Sequence, residues 1–206
     1  MYPHPNTPLP PPSLDSHLSV PAIGSRSGIL TAWNSASFSQ QSFVSRRYSL
    51  SVTLASTSSN HTFTLTNVYG PADHSLTDAF LHELQELPTH ISGPWLLVGD
   101  FNLLRSTSDK NNPLFNSSLA ESFNTCINSL ALLELPLLDR LYTWSNKRAT
   151  PTLARLDRAF LDTDFSCLFP DSTLTSRVRS TSDHVPLLLT LHTNIPRSTI
   201  FRFENA

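Results

Sequence analysis

Between Tyr48 and Asn102 the hydrophobic rhythm of the chain changes twice, and that succession constrains the fold more than any other feature. "YSLSVTLAS" sets Tyr48, Leu50, Val52 and Leu54 against Ser and Thr at a period of two, the pattern of a half-buried strand. "HTFTLTNVYGP" alternates again through Phe63 and Leu65 and breaks at Gly70-Pro71. With the polar "STSSN" between them, the two segments are expected to form a hairpin. "DHSLTDAFLHELQEL" then switches to helical spacing, through Leu76, Phe80, Leu84 and Leu87. "WLLVGDFNLL" finally runs apolar without alternation until it meets Asp100 and Asn102. A hairpin, a helix and a strand apolar on both faces belong to an α/β structure in which helices cover a sheet.

The flanking segments extend this pattern. "GILTAW" reads as a short buried strand, and "NSSLAESFNTCINSLALLEL" as a second helix with Leu119, Phe123, Ile127 and Leu130 on one stripe behind a Ser or Asn cap. "RLYTWSN", "LARLDRAFL" and "STSDHVPLLLTL" return to strands. Composition matters mainly at the ends. Much of the proline, 16 residues against 5 glycines, sits in the opening segment, so residues 1–24 are expected to be an extended or disordered lead. Residues 25–194 form the expected domain, and 195–206, "IPRSTIFRFENA", a linker that stops without a cap. A length of 206 residues suits one domain. The net charge of −2 offers no global attraction to nucleic acid or membrane, so DNA contact needs a local patch. Cys126 and Cys167 lack metal-ligand spacing and read as reduced, buried thiols of an intracellular protein. No apolar run reaches the length of a membrane span, and the N-terminus lacks a signal-peptide profile.

Polar residues recur where the apolar strands stop: Asn67-Val68-Tyr69, Asp100 with Asn102, Asp157 in "RLDRAF", and Ser182-Asp183-His184. Each has an ordinary structural reading. Gly-Asp and Asn suit a turn, Asp157 suits a salt bridge with Arg155 or Arg158, His184 suits a strand entry, and Tyr69 suits the core. A sheet that gathers its strand ends along one edge would bring them together instead. Their types suit phosphoester hydrolysis, where carboxylates or imidazole activate water and neutral donors grip phosphoryl oxygens.

"NVYGP", "GDFN", "YTWSN", "RLDRAF" and "SDHVPLLL", in that order, resemble the endonuclease/exonuclease/phosphatase superfamily. More narrowly, with "SGILTAWN" and "FRFENA", they are similar to the apurinic-type endonuclease domain of plant LINE-type non-LTR retrotransposons, truncated at the N-terminus. The resemblance implies a DNase I-like four-layer α/β sandwich that lacks its first strand-helix-strand unit. It implies catalytic roles for His184, Asp100, Asp157 and Tyr69, phosphate binding by Asn102 and a metal-side carboxylate in Asp183. Trp144 and Arg148 would contact DNA, and Arg46, Arg47, Lys147, Arg177 and Arg179 are further candidate phosphate grips. The implied partners are double-stranded DNA and a reverse transcriptase region in cis, with no membrane, a monomeric state and a nuclear location.

Two departures shape the expected activity. The superfamily's principal Mg²⁺ ligand is a Glu in its first unit, whereas residues 1–70 contain one acid, Asp15, and no Glu. Ala72 stands where many relatives carry an Asn that binds phosphate. Mg²⁺, or Mn²⁺ in its place, is therefore expected to bind weakly or not at all. The expected function is DNA nicking at a target site, with a catalytically dead protein that at most binds DNA as the alternative. The lost unit should also leave an unpaired sheet edge and an uncovered apolar face.

Overall fold

The alternating segments pair as their sequence demands, and a sheet grows from them in both directions. The computed structural model describes residues 14–22, 28–59, 61–178 and 181–191. In chain order the first strands are β1 (Ser16–Val20), β2 (Ile29–Trp33), β3 (Phe38–Ser45), β4 (Ser49–Ser56) and β5 (Thr62–Tyr69). Helix α1 (Thr77–Glu86), β6 (Trp95–Asp100), α2 (Ser117–Ser129) and β7 (Leu133–Glu134) follow. The chain continues with β8 (Trp144–Ser145), β9 (Leu153–Ala154), β10 (Asp157–Leu161), α3 (Thr163–Leu168), β11 (Thr173–Ser176) and β12 (Leu187–Thr190).

Six strands form one sheet in the order β3-β4-β5-β6-β10-β7. Its pairs are antiparallel except β5 with β6, which run parallel because α1 supplies the crossover between them. One face packs on α1 and α2. Phe80, Leu84, Phe123 and Ile127 from the helices are fully buried against Leu97, Phe101 and Phe160. Each such side chain contributes about 1.5–3 kcal/mol by leaving water. Asn116 caps α2 by accepting the Leu119 N–H at 3.1 Å, as the sequence suggests. A buried carboxylate that the sequence does not advertise, Glu83 on α1, accepts the Tyr48 N–H at 2.9 Å and the Ser49 hydroxyl at 2.7 Å. It ties the helix to the turn between β3 and β4.

The opposite face is covered by two ribbons, β1–β2 and β11–β12, and by Phe165 of α3. Ile29 and Trp33 from β2 meet Leu50, Val52 and Leu96, while Leu189 of β12 packs nearby. The ribbons do not pair with each other among the described residues. Between β12 and the sheet lies a cavity of ≈ 440 Å³ bordered by Val98, Ala159, Leu174, Leu187 and Leu189.

The fold is the expected DNase I-like α/β sandwich. Among the described residues the layers are a helix pair, the large sheet and the ribbons, and no α-helix precedes α1. Ser16–Val20, assigned to the proline-rich lead, form β1 because that segment is free of proline and alternates through Leu18 and Val20. Residues 1–13 and 192–206, which include "FRFENA", lie outside the described residues. Cys126 is buried as expected, but Cys167 is exposed. No helix among the described residues is long and apolar enough to cross a membrane.

Candidate active site

Strand register builds the site. Tyr69 ends β5 opposite Asp100 at the end of β6, and Asp100 stands opposite Asp157 at the start of β10. Side chains alternate across a sheet, so these three share the ribbon-covered face at one edge. Two glycines let the strand ends close this tightly. A Cβ on Gly99 (φ 140°) would lie 2.1 Å from the Val68 carbonyl oxygen, and one on Gly70 would lie 2.2 Å from that of Phe101.

His184 arrives from the loop before β12 and is half-buried between the two carboxylates. Its Nδ1 lies 2.9 Å from Asp157 Oδ2, and its Nε2 lies 3.7 Å from Asp100 Oδ2. The first contact is a hydrogen bond, while the second is too long for one. Since an ionised carboxylate only accepts, the proton belongs on Nδ1, which leaves Nε2 facing Asp100 as the reactive nitrogen. The hydrogen bond to Asp157 raises the His184 pKa above its ordinary 6.5. Burial, followed by the charge of Asp157, pushes the Asp100 carboxyl up to about 6. The two shifts run in the same direction, toward holding a proton at the site, which suits acid–base work.

Asn102 adopts a left-handed backbone conformation (φ 51°), which an Asx side chain tolerates after a strand. Its Nδ2 donates to the Gly70 carbonyl at 2.9 Å and to Asp100 Oδ2 at 3.2 Å, and its backbone N–H donates to Asp100 Oδ1 at 2.9 Å. Asn102 thus orients Asp100, and a phosphate would have to displace one of its side-chain bonds. Asp183 is exposed, and the Trp144 indole N–H donates to its Oδ2 at 2.9 Å, holding the carboxyl below its usual range. Tyr69, Asp100, Asn102, Trp144, Arg148, Asp183 and His184 all border one cleft of ≈ 710 Å³. Asp157 stands behind it, on the side of the cavity beneath β12.

Asp100, Asp157 and His184 offer ligand atoms within 4.8 Å of one another, a group able to hold a metal ion. Asp183 is outside that group. The donor set does not suit Mg²⁺ as it stands, because Mg²⁺ takes oxygen ligands in a near-octahedral shell and imidazole favours softer ions. Asp15, the one acid before residue 70, accepts the backbone N–H of Ser35 at 2.7 Å and its hydroxyl at 2.6 Å instead.

Residues 9–184 match the profile of the endonuclease/exonuclease/phosphatase family. The chain belongs to that family. Solved structures repeat the family's fold at low identity. The endonuclease domain of TRAS1, a telomere-specific non-LTR retrotransposon, superimposes with a TM-score of 0.70 at 15% identity, covering 87% of this chain and 80% of that one. The 3′ phosphatase NExo from Neisseria, bound to a product DNA hairpin, gives 0.61 at 15% identity, covering 85% and 79%. A humanised D. rerio TDP2 gives 0.56 at 13% identity, covering 88% and 78%. No curated protein matches by sequence.

For a member of this family, the basic residues divide unexpectedly. Arg148 lines the cleft, joined by Lys110, which no motif in the sequence marks. Arg46 instead pairs with Glu86 at 3.0 Å, and Arg47 lies over the Tyr48 ring at 5.1 Å, so both belong to the turn between β3 and β4. Lys147 donates to the Thr181 carbonyl, Arg177 donates its backbone N–H to Pro186 at 2.8 Å, and Arg179 lies outside the described residues. Asn116, the cap of α2, and Asn146, the last residue of "YTWSN", also line the cleft.

Proposed function

We propose that this family member hydrolyses phosphodiester bonds in double-stranded DNA, nicking a target site as the endonuclease of a LINE-type element. The observation that carries the reading is the row of Tyr69, Asp100 and Asp157 across three strands, with His184 between the carboxylates at the edge of an open cleft. In this reading a phosphate lies over Tyr69 and Asn102. His184 Nε2 takes or returns the proton of the reacting oxygen, and Asp157 holds the imidazole in one tautomer and stabilises its cationic form. Asp100, orientated by Asn102, aligns the water. Arg148 and Lys110 grip flanking phosphates, and Trp144 lies against the groove. Mg²⁺ or Mn²⁺ would be at most a weakly held assistant. The place of work would be the nucleus, with a reverse transcriptase region in cis and the domain monomeric.

A second reading, DNA binding without cleavage, is favoured by one observation. The carboxylate that the resemblance assigns to the metal has no counterpart before residue 70. Nicking of supercoiled plasmid separates the two. The wild type is expected to nick in Mg²⁺ or Mn²⁺, and His184→Ala to lower the rate by about 10²–10⁴-fold, the range of general acid–base catalysis. Binding without nicking in either metal would select the second reading. Turnover of a small phosphomonoester with no action on DNA would overturn both.

A further inference from the structure

We propose that Thr143 is the positioning residue of the Asp157–His184 pair, through its buried hydroxyl and its carbonyl. Its place in the reaction rests on the hydrolytic reading above, while its effect on the pair's geometry does not. Thr143 is wholly buried. Its Oγ accepts two consecutive backbone N–H groups, from Leu156 at 3.0 Å and Asp157 at 3.1 Å. Its carbonyl accepts the N–H of Val185, the residue after His184, at 2.7 Å, and its own N–H donates to Ala154 at 2.9 Å. One residue therefore binds the start of β10, the β8–β9 ribbon and the histidine loop.

The neighbouring contacts hold the same junction. Trp144 bridges to His184, and the Ser145 N–H reaches the Asp183 carbonyl at 3.0 Å. These fix the histidine loop to the ribbon, but among the described residues no other ribbon side chain hydrogen-bonds the Asp157 backbone. The hydroxyl supplies that second link. A branched apolar side chain would fill the same space, strand both N–H groups in a buried site and free β10 to shift against the loop. The Nδ1–Oδ2 separation of 2.9 Å is the quantity at stake.

Three substitutions test this. Thr143→Val keeps the shape and removes the hydroxyl, Thr143→Ser keeps the hydroxyl, and Thr64→Val removes an equally buried hydroxyl elsewhere in the sheet. The spectroscopic readout is the ¹⁵N shifts of His184, which report its tautomer and the Nδ1–H bond. Thr143→Val is expected to lose the Nδ1–H preference and to lower kcat for nicking by about 10–100-fold at unchanged KM, the size of effect that misplaced catalytic groups produce. Thr143→Ser should retain both properties, and Thr64→Val should leave the His184 spectrum unaltered. An unchanged His184 spectrum in folded Thr143→Val overturns the proposal, as does a disturbed one in Thr143→Ser. If Thr143→Val does not fold, amide exchange in the wild type decides. Leu156 and Asp157 should be as protected as the centre of β6, and rapid exchange at either overturns the proposal. A protein that never nicks removes the proposed function and leaves the spectroscopic arm intact.

Discussion

Asp157 and Arg158 are neighbours on β10, yet alternation sends them to opposite faces, where they end in opposite kinds of polar cluster. Arg158 is almost fully buried and closes a network. Its guanidinium donates to Glu134 at 2.6 Å and to Asp109 at 2.7 Å, while Arg105 donates to the second Glu134 oxygen at 2.6 Å. Asp109 also accepts the backbone N–H groups of Arg105 and Ser106 at 2.7 and 3.0 Å. On the other face, Asp157 and Asp100 share one imidazole, and the second contact is not a hydrogen bond. In the first cluster three arginines, Arg105, Arg155 and Arg158, face the two carboxylates and hold the chain in place. The second is short of positive charge and opens on a cleft, the arrangement expected where charge must be accepted from outside.

The largest effect should come from opening the closed side. Arg158→Met leaves Glu134 and Asp109 without the cation that faces both, and removing one partner of a buried pair costs about 3–5 kcal/mol. Asp157→Asn should cost much less. It removes a hydrogen bond to His184 and also relieves the repulsion that raises the Asp100 pKa. Urea unfolding of both variants gives the comparison directly. Equal losses would mean that the two clusters are equally structural and that the contrast drawn from their geometry is wrong.

The next effect is one of sign. The Asp100 carboxyl is raised from 3.8 to about 6, so the folded protein holds a proton that the unfolded chain has released between those values. Stability from this group therefore falls as pH rises from about 4 to about 6 and stays low above that. The loss is about 3 kcal/mol for a shift of roughly two units. The raised His184 acts in the same direction, since its contribution is complete below 6.5 and disappears as pH rises through its folded value. Asp100→Asn should consequently be more stable than wild type at pH 8 in EDTA, and close to it at pH 4. Unfolding curves at the two pH values suffice. A variant that is less stable at pH 8 would show that Asp100 is compensated after all.

These contrasts also mark how far the sequence could be read. Alternation from Tyr48 to Leu54 and the stripe of Phe80, Leu84 and Leu87 are local patterns, and the elements follow them. Asp100, Asp157 and His184 were readable because strand ends collect at one edge whichever strands intervene. Partner choice is not local. Arg158 was a candidate partner for Asp157, but it pairs instead with Asp109, 49 residues away, and Glu134, 24 residues away. Glu83 sits on an amphipathic helix like any solvent-facing acid until β3 and β4 place two backbone N–H groups above it. Thr143 lies inside the quoted "YTWSN", yet its role depends on two segments that meet it only in the fold.

Trp144 and Asp183 carry the smallest predicted effect and the finest test of where the open cluster ends. The family resemblance implies separate roles for them, DNA contact and metal side, but the indole N–H is bonded to the carboxylate across 39 residues. Trp144→Phe removes that donor and keeps a ring. Because Asp183 is exposed, solvent should hold the stability change well below 1 kcal/mol. The Asp183 pKa should rise back toward 3.8, with the charges of His184 and Lys147 still opposing the full return. Carbon-13 NMR titration of its carboxyl would measure this. DNA affinity then separates the roles. If the ring itself meets DNA, Trp144→Phe should retain most binding and Trp144→Ala should lose it. If Trp144 acts only by fixing Asp183, the two variants should bind alike, and the open cluster extends through the indole to the rim of the cleft.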